Sequence, residues 1–397
     1  MAARKNARPT LRALLRWGWI CVLRYSGCIA LAKRWIGTHG AVVLTFHRIL
    51  PEAAANTTLS PAGMVVNQST FESLLRYIKQ NHSLLDLRKE PPPQGAHSVQ
   101  IAITFDDGWE DTASIAFPIA SKLGVPFTVF VCPGLMDKSI PFWPEFLAGV
   151  VRAVDTSAEI MDRACHVLTS AGCGDWIQIL TDRRVDRADA LIQRCKNLTA
   201  GERNRLLQAL ATDEGPAVDD AASPMDRTMS WPQLDCLAKA GVSFGSHTQN
   251  HEILNQLSLA EAEHQLTQSK AMLERHVGTC DLFSYPNGDW STAARAVVEH
   301  SGYRLAFINS PGIWKSGGDP FSIPRINLAD YSLTDWHGRF SPAAFEYRVF
   351  WQTFIHPGKT GKERARRFDA LQMLVTASDK PLLKNSSLDG RVPKTHS

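Results

Sequence analysis

The sequence predicts an α/β fold: a distorted (β/α) barrel of parallel strands with a helical insertion and a basic amphipathic N-terminal helix. Three observations carry this. Short apolar, β-prone runs alternate with helix-length segments, which is the pattern of a parallel sheet. One of those runs, Val99 to Phe105, ends in Asp106-Asp107-Gly108, and the carboxyl ends of parallel strands are where such folds bind ligands. Between Pro141 and Thr228 the rhythm stops, in a stretch rich in Ala, Arg, Asp and Leu with no strand pattern.

Each element has its own signal. Ala41 to Phe46 is the first strand and delivers His47 and Arg48 at its end. Ser69-Thr70-Phe71-Glu72 has capping-box spacing and opens a helix through Lys79. Pro91 to Gly95 reads as a loop. After the strand Val99 to Phe105, Asp111 can cap a helix running to Leu123, which Gly124 ends. Phe127 to Val131 is the third strand. The insertion holds helical stretches such as Glu145 to Val154 and Arg203 to Leu210, then a loop-like run from Asp213 to Asp226. Ser230-Trp231-Pro232 restarts the repeat as a capped helix with proline in its first turn. Val242 to Gly245 follows as a strand, and Ser258 caps a long helix ending near His276 and Gly278. Asp281 to Tyr285, Arg304 to Ile308 and Ser322 to Arg325 supply the later strands. The expected organisation is an N-terminal segment 1–40, a barrel 41–340 with its insertion at about 141–228, and a partly disordered extension 341–397.

Length and composition are those of an ordinary globular protein of 397 residues. A net charge of +4 gives no reason to invoke nucleic acid. The 8 cysteines show no Cys-x-x-Cys spacing, so reduced thiols in a cytoplasmic protein are preferred to a disulfide framework. The first 40 residues carry Arg4, Lys5, Arg8, Arg12, Arg16, Arg24, Lys33 and Arg34 and no acidic residue. Tryptophans and aliphatics lie between those charges, and the uncharged run Trp17 to Leu23 is too short to span a bilayer. A basic helix of this kind suits a membrane surface, peripheral at the cytoplasmic leaflet. The alternative is a helix packed on the barrel with a solvated basic face.

The chemistry concentrates in two motifs. Adjacent carboxylates repel unless a cation or a shared proton relieves them, so Asp106-Asp107 asks for a metal. Far downstream, His247 and His251 lie four residues apart in Gly245-Ser246-His247-Thr248-Gln249-Asn250-His251. Two histidines and one carboxylate would leave open positions on a zinc-like divalent ion. Caps and turns for the aspartates, and core or surface positions for the histidines, are the bland alternatives.

Thr104-Phe105-Asp106-Asp107-Gly108 and His247-Thr248-x-x-His251, in this order, resemble the polysaccharide deacetylase family, carbohydrate esterase family four. The resemblance covers roughly residues 41 to 135 and 228 to 330. It implies Asp107, His247 and His251 as metal ligands and Asp106 as catalytic base. Phe283-Ser284-Tyr285-Pro286-Asn287-Gly288 sits where the family has its third motif, in a Tyr-Pro variant. There the base-orienting arginine is replaced by Ser284, and Asn287 stands where a backbone N–H serves as oxyanion donor. Arg325, in Ile323-Pro324-Arg325-Ile326-Asn327, either replaces the missing arginine or makes a structural ion pair. No clear copy of the family's last motif is present, and His356 falls in an unplaced segment. His47 is the better general acid, with a hydrogen-bonded rim histidine as its alternative. Ser246 and Thr248 read as supporting donors or caps rather than nucleophiles. Trp109, Trp231 and Trp290 flank the motifs, and Tyr285, Trp109 and Trp290 are the candidate sugar contacts.

The expected activity is metal-dependent removal of an N-acetyl group from an amino sugar in a polysaccharide or lipid-linked glycan. Zinc is the first choice of metal, with cobalt, nickel or manganese as alternatives. The rivals are a deformylase or other amide hydrolase on the same site, a metal-containing but inactive glycan-binding protein, and an extracytoplasmic enzyme with an uncleaved anchor.

Overall fold

The structure is a computed structural model and describes residues 11–89, 99–137, 142–212 and 225–355. The expected loop Pro91 to Gly95, most of the run Asp213 to Asp226, His356 and the C-terminal tail lie outside the described residues.

Among the described residues the main sheet has 10 strands. The barrel strands are β1 (Gly40–Phe46), β2 (Gln100–Phe105), β3 (Thr128–Val131), β4 (Ser243–Ser246), β5 (Leu282–Ser284), β6 (Leu305–Ile308), β7 (Ile323–Pro324) and β8 (Ile326–Asn327). Each is hydrogen-bonded in parallel to its neighbour from β1 through β7. β8, one residue beyond β7, pairs with β1 through Leu44↔Ile326 and Thr45↔Asn327 and so closes the sheet on itself. Arg325 is the residue between β7 and β8, at the seam.

Alternation along the strands sorts side chains to the two faces. Ala41, Val43, Ala102, Phe130, Leu282 and Phe307 belong to one buried cluster. Val42, Leu44, Phe46, Ile101, Ile103 and Phe105 belong to a second, larger one that includes residues of the surrounding helices. The insertion is helical throughout its described part, with helices at Trp143–Val154, Ala158–Ser170, Ile177–Thr181, Arg187–Lys196 and Ala200–Leu210. It has a core of its own, built on Leu147, Val150, Leu168, Trp176 and Leu206.

Both expected restarts after the insertion have reciprocal capping boxes, Ser230 with Gln233 and Ser258 with Glu261. Two other caps are corrected. The helix expected from Ser69 begins at Gln68, without a side-chain cap, and Ser69 instead hydrogen-bonds to Glu52. Asp111 does not cap a helix either: its carboxylate accepts from Arg48 Nε at 2.6 Å and from the Ile49 N–H at 2.7 Å. A buried guanidinium is a stronger claimant for that carboxylate than a backbone N–H. Gly124, at φ 64°, ends the helix Phe117–Leu123 as expected.

Candidate metal and catalytic site

Asp106 and Asp107 follow β2, His247 and His251 follow β4, and Ser284 ends β5, so all gather at one end of the barrel. The turn after β2 needs Gly108, which has φ 73° and where a Cβ would lie 2.8 Å from Val131 Cγ1. Among the described residues, the non-glycine residues at positive φ are Asp107, Asp137, Thr248, His251 and Asn287. All but Asp137 fall in the two metal motifs and the third motif. Such backbone costs on the order of 1 kcal/mol per residue and persists where surrounding contacts over-determine it.

One ligand atom each from Asp107, His247 and His251 lies within 4.8 Å of the others. Asp107 Oδ1 is 3.5 Å from His247 Nε2 and 3.4 Å from His251 Nε2. His247 Nδ1 is 2.7 Å from the carbonyl of Ser284, which makes Nδ1 a protonated nitrogen and aims Nε2 at Asp107. Trp109 Nε1 donates to the other oxygen of Asp107 at 3.0 Å. His251 Nδ1 is buried without a hydrogen-bond partner among the described residues. Burial disfavours charge on His251 and holds it down to about 4, so the ring stays neutral. Burial also works against ionisation of Asp107, but its contacts with the two histidines outweigh this and hold the carboxyl well below the usual range. An ionised carboxylate held by Trp109, an imidazole oriented by the Ser284 carbonyl and a second, neutral imidazole fit a divalent ion of the zinc type.

Asp106 is held differently. Arg325 Nη1 and Nη2 donate to its two oxygens at 2.8 and 2.6 Å, a bidentate grip. Nη2 also donates to Ser284 Oγ at 2.8 Å, and Ser284 Oγ to Asp106 at 3.3 Å. Burial opposes ionisation of Asp106, and Arg325 and His247 more than offset it, so the carboxyl sits below its ordinary range. Arg325 therefore reaches the carboxylate from the barrel seam, across the serine that occupies β5.

The other candidates separate. His47 is half-buried just after β1, with Nδ1 unpartnered among the described residues. Asn287 has φ 62° in the Pro286–Gly288 turn and donates its side-chain amide to Asp289. Ser246 pairs with Ser269, and Thr248 Oγ1 accepts from the Glu252 N–H. Two expected sugar contacts are corrected. Tyr285 is fully buried, its hydroxyl spent on the Phe321 carbonyl. Trp109 is equally buried, stacked under the Arg48 guanidinium at 4.0 Å and against Phe142. Trp290 remains half-exposed. Trp231 stacks on His276 instead.

Two residues escaped the sequence. Arg48, fully buried, binds Asp111, Asp226, Ser60 and the Met225 carbonyl while supporting Trp109. Glu145, from the insertion, is 1 % exposed with Oε1 unpartnered among the described residues. Burial, and next the charge of Asp107, push its carboxyl up to about 8. Its only signal is a glutamate in the first turn of a mostly apolar helix. The insertion also grips the histidine loop: Arg203 donates to Glu252 and Gln256, next door to His251.

Residues 203–306 match the family model described as polysaccharide deacetylase. The match holds the histidine pair and the third motif and begins after the two aspartates. The chain is thus similar to polysaccharide deacetylases, hydrolases acting on carbon–nitrogen bonds, as its motifs imply. Several solved structures are similar to it, among them the following three. The Streptococcus pyogenes deacetylase PplD in complex with acetate is 18% identical with a TM-score of 0.47, covering 78% of this chain and 98% of its own. IcaB from Ammonifex degensii is 17% identical with a TM-score of 0.47, covering 78% and 97%. The BpsB deacetylase domain from Bordetella bronchiseptica is 15% identical with a TM-score of 0.41, covering 73% and 95%. No curated protein matches the chain.

Proposed function

We propose that this protein is a metal-dependent hydrolase that removes the N-acetyl group of an amino sugar in a polysaccharide or lipid-linked glycan. The observation that carries the reading is the convergence of Asp107, His247 and His251 within 4.8 Å, beside a second carboxylate, Asp106, clamped by Arg325. In this reading Asp107, His247 and His251 hold a divalent ion, zinc first. When bound, that ion supplies a Lewis acid and lowers the pKa of water.

Asp106 takes the proton from water as it attacks the amide carbon. Arg325 keeps that carboxylate ionised and fixes its orientation, in the role that Ser284 cannot fill. The backbone N–H of Asn287 donates to the developing oxyanion. His47 gives a proton to the leaving amine. The C–N bond breaks, and acetate and a free amino sugar leave. The family match supports the acyl-amide chemistry, and the glycan substrate comes from that likeness rather than from a contact in this site.

The test is acid release followed by proton NMR, with purified full-length protein, zinc or cobalt, and N-acylated amino-sugar oligomers or lipid-linked sugars. Acetate that disappears in Asp107→Asn establishes the reading. Formate instead of acetate reassigns the enzyme as a deformylase. Stoichiometric metal without any acid points to a glycan-binding protein.

A further inference from the structure

We propose that the two N-terminal helices form a docking face for an anionic lipid bilayer. They are α1 (Leu11–Tyr25) and α2 (Cys28–His39). Their inner face is already satisfied: Ile20, Leu23, Ile29, Ala32 and Ile36 are buried. A second apolar set points outward. Leu15, Trp19 and Val22 stand at i, i+4 and i+7 of α1, which puts them on one stripe, and they are 65%, 53% and 57% exposed. Tyr25 and Leu31 extend the exposed surface. A helix that needed only to pack on its own protein has no use for a second apolar stripe.

Charge selects the occupant. The first acidic residue of the chain is Glu52, so both helices lack any carboxylate while carrying Arg12, Arg16, Arg24, Lys33 and Arg34. Glu346 meets Arg24 and Lys33 at 2.7 and 3.9 Å, which neutralises only part of that excess. A second copy of the chain seated on this face would bring two sets of like charge together. An anionic headgroup layer receives the basic groups at its surface and the Trp19 and Leu15 side chains below it. No helix of the described residues is long and apolar enough to cross a membrane, so the face would lie on the bilayer, as on a cytoplasmic leaflet.

The face also has a place relative to the candidate site. Trp17 makes an edge contact with Trp336 at 5.6 Å. Trp336, itself half-exposed, lies in the segment after β8, where Asn327 and Asp330 bond the 63–67 segment at the site end of β1. Exposed apolar surface therefore continues from α1 onto Trp336, in the segment that follows β8. That a lipid-linked substrate would be met there rests on the proposed reaction. The binding itself does not.

The experiment is co-sedimentation of the full-length protein with phosphatidylglycerol–phosphatidylcholine vesicles and with phosphatidylcholine vesicles alone. The expected result is capture by the anionic vesicles, lowered by high salt, and reduced about tenfold or more in Leu15→Glu/Trp19→Glu. Both positions are exposed, so circular dichroism of that variant should match the parent. Asp107→Asn should bind vesicles like the parent, which separates failure of docking from failure of the hydrolase reading. Equal capture by the double variant, or no capture by anionic vesicles, overturns the proposal. A dimer in light scattering that the double variant abolishes assigns the face to a second copy instead.

Discussion

Asp106 and Asp107 are adjacent in sequence and have different partners, and that difference sets what each can do. Asp107 faces two imidazoles and accepts the Trp109 indole N–H; Asp106 is locked by a guanidinium. Trp109→Phe keeps an aromatic ring under Arg48 but removes the N–H, along with part of the buried indole's volume. It should weaken zinc binding about 10- to 100-fold, the usual cost of losing a partner that orients a ligand, and competition with a chromophoric chelator would measure it. Arg325→Lys keeps a charge but loses the two-pronged grip. Turnover should fall about 100-fold with zinc affinity nearly unchanged, and a parallel loss of zinc would argue that Arg325 serves the metal ligands instead. The motifs were legible because each is local, a strand end or a short loop. Arg325 was named from its segment, yet its pairing with Asp106 spans 219 residues and nothing local encodes it. Tyr285 and Trp109 were misread for a related reason: an aromatic beside a motif looks the same in sequence whether its ring faces solvent or the core.

At the scale of elements, the insertion holds the histidine loop from outside the barrel. The helical character of its described part was readable from the missing strand pattern, but not where it docks. Arg203 is 1% exposed, lies over Trp143 and reaches Glu252 at 2.6 Å and Gln256. Arg152 binds the carbonyls of Thr57 and Thr58 on the other side, and Phe142 packs edge-on against His251. These contacts make the insertion a fixed wall. Arg203→Met removes one partner of a largely buried ion pair, a change that typically costs about 3–5 kcal/mol. Denaturant unfolding should show that loss. Zinc affinity should drop with it, because the segment carrying His251 loses its brace. An unchanged zinc affinity in a destabilised variant would confine the contact to stability.

Over the whole molecule, the N-terminal helices, the helix Gln68–Asn81 and the helical segment after Pro342 meet at Glu346, which takes hydrogen bonds from Arg24 and Tyr77. Beneath this junction lies His82, packed on Tyr77, Phe345 and Phe350 with both ring nitrogens unpartnered among the described residues. A sequence shows the histidine but not that Tyr77, Phe345 and Phe350 converge on it. Burial first, and then the nearby Lys33, hold its pKa down to about 3. The unfolded chain titrates near 6.5, so below that pH it binds a proton that the native state refuses. Stability from this group is therefore complete above about 6.5 and declines as the pH falls toward 3, by about 1.4 kcal/mol per pH unit. His82→Leu keeps an apolar filler and removes the titration. Between pH 6.5 and 5 the parent should lose about 2 kcal/mol more than the variant, read from urea unfolding of metal-free protein at each pH. Parallel losses in the two proteins would mean that His82 takes up its proton without leaving the folded core.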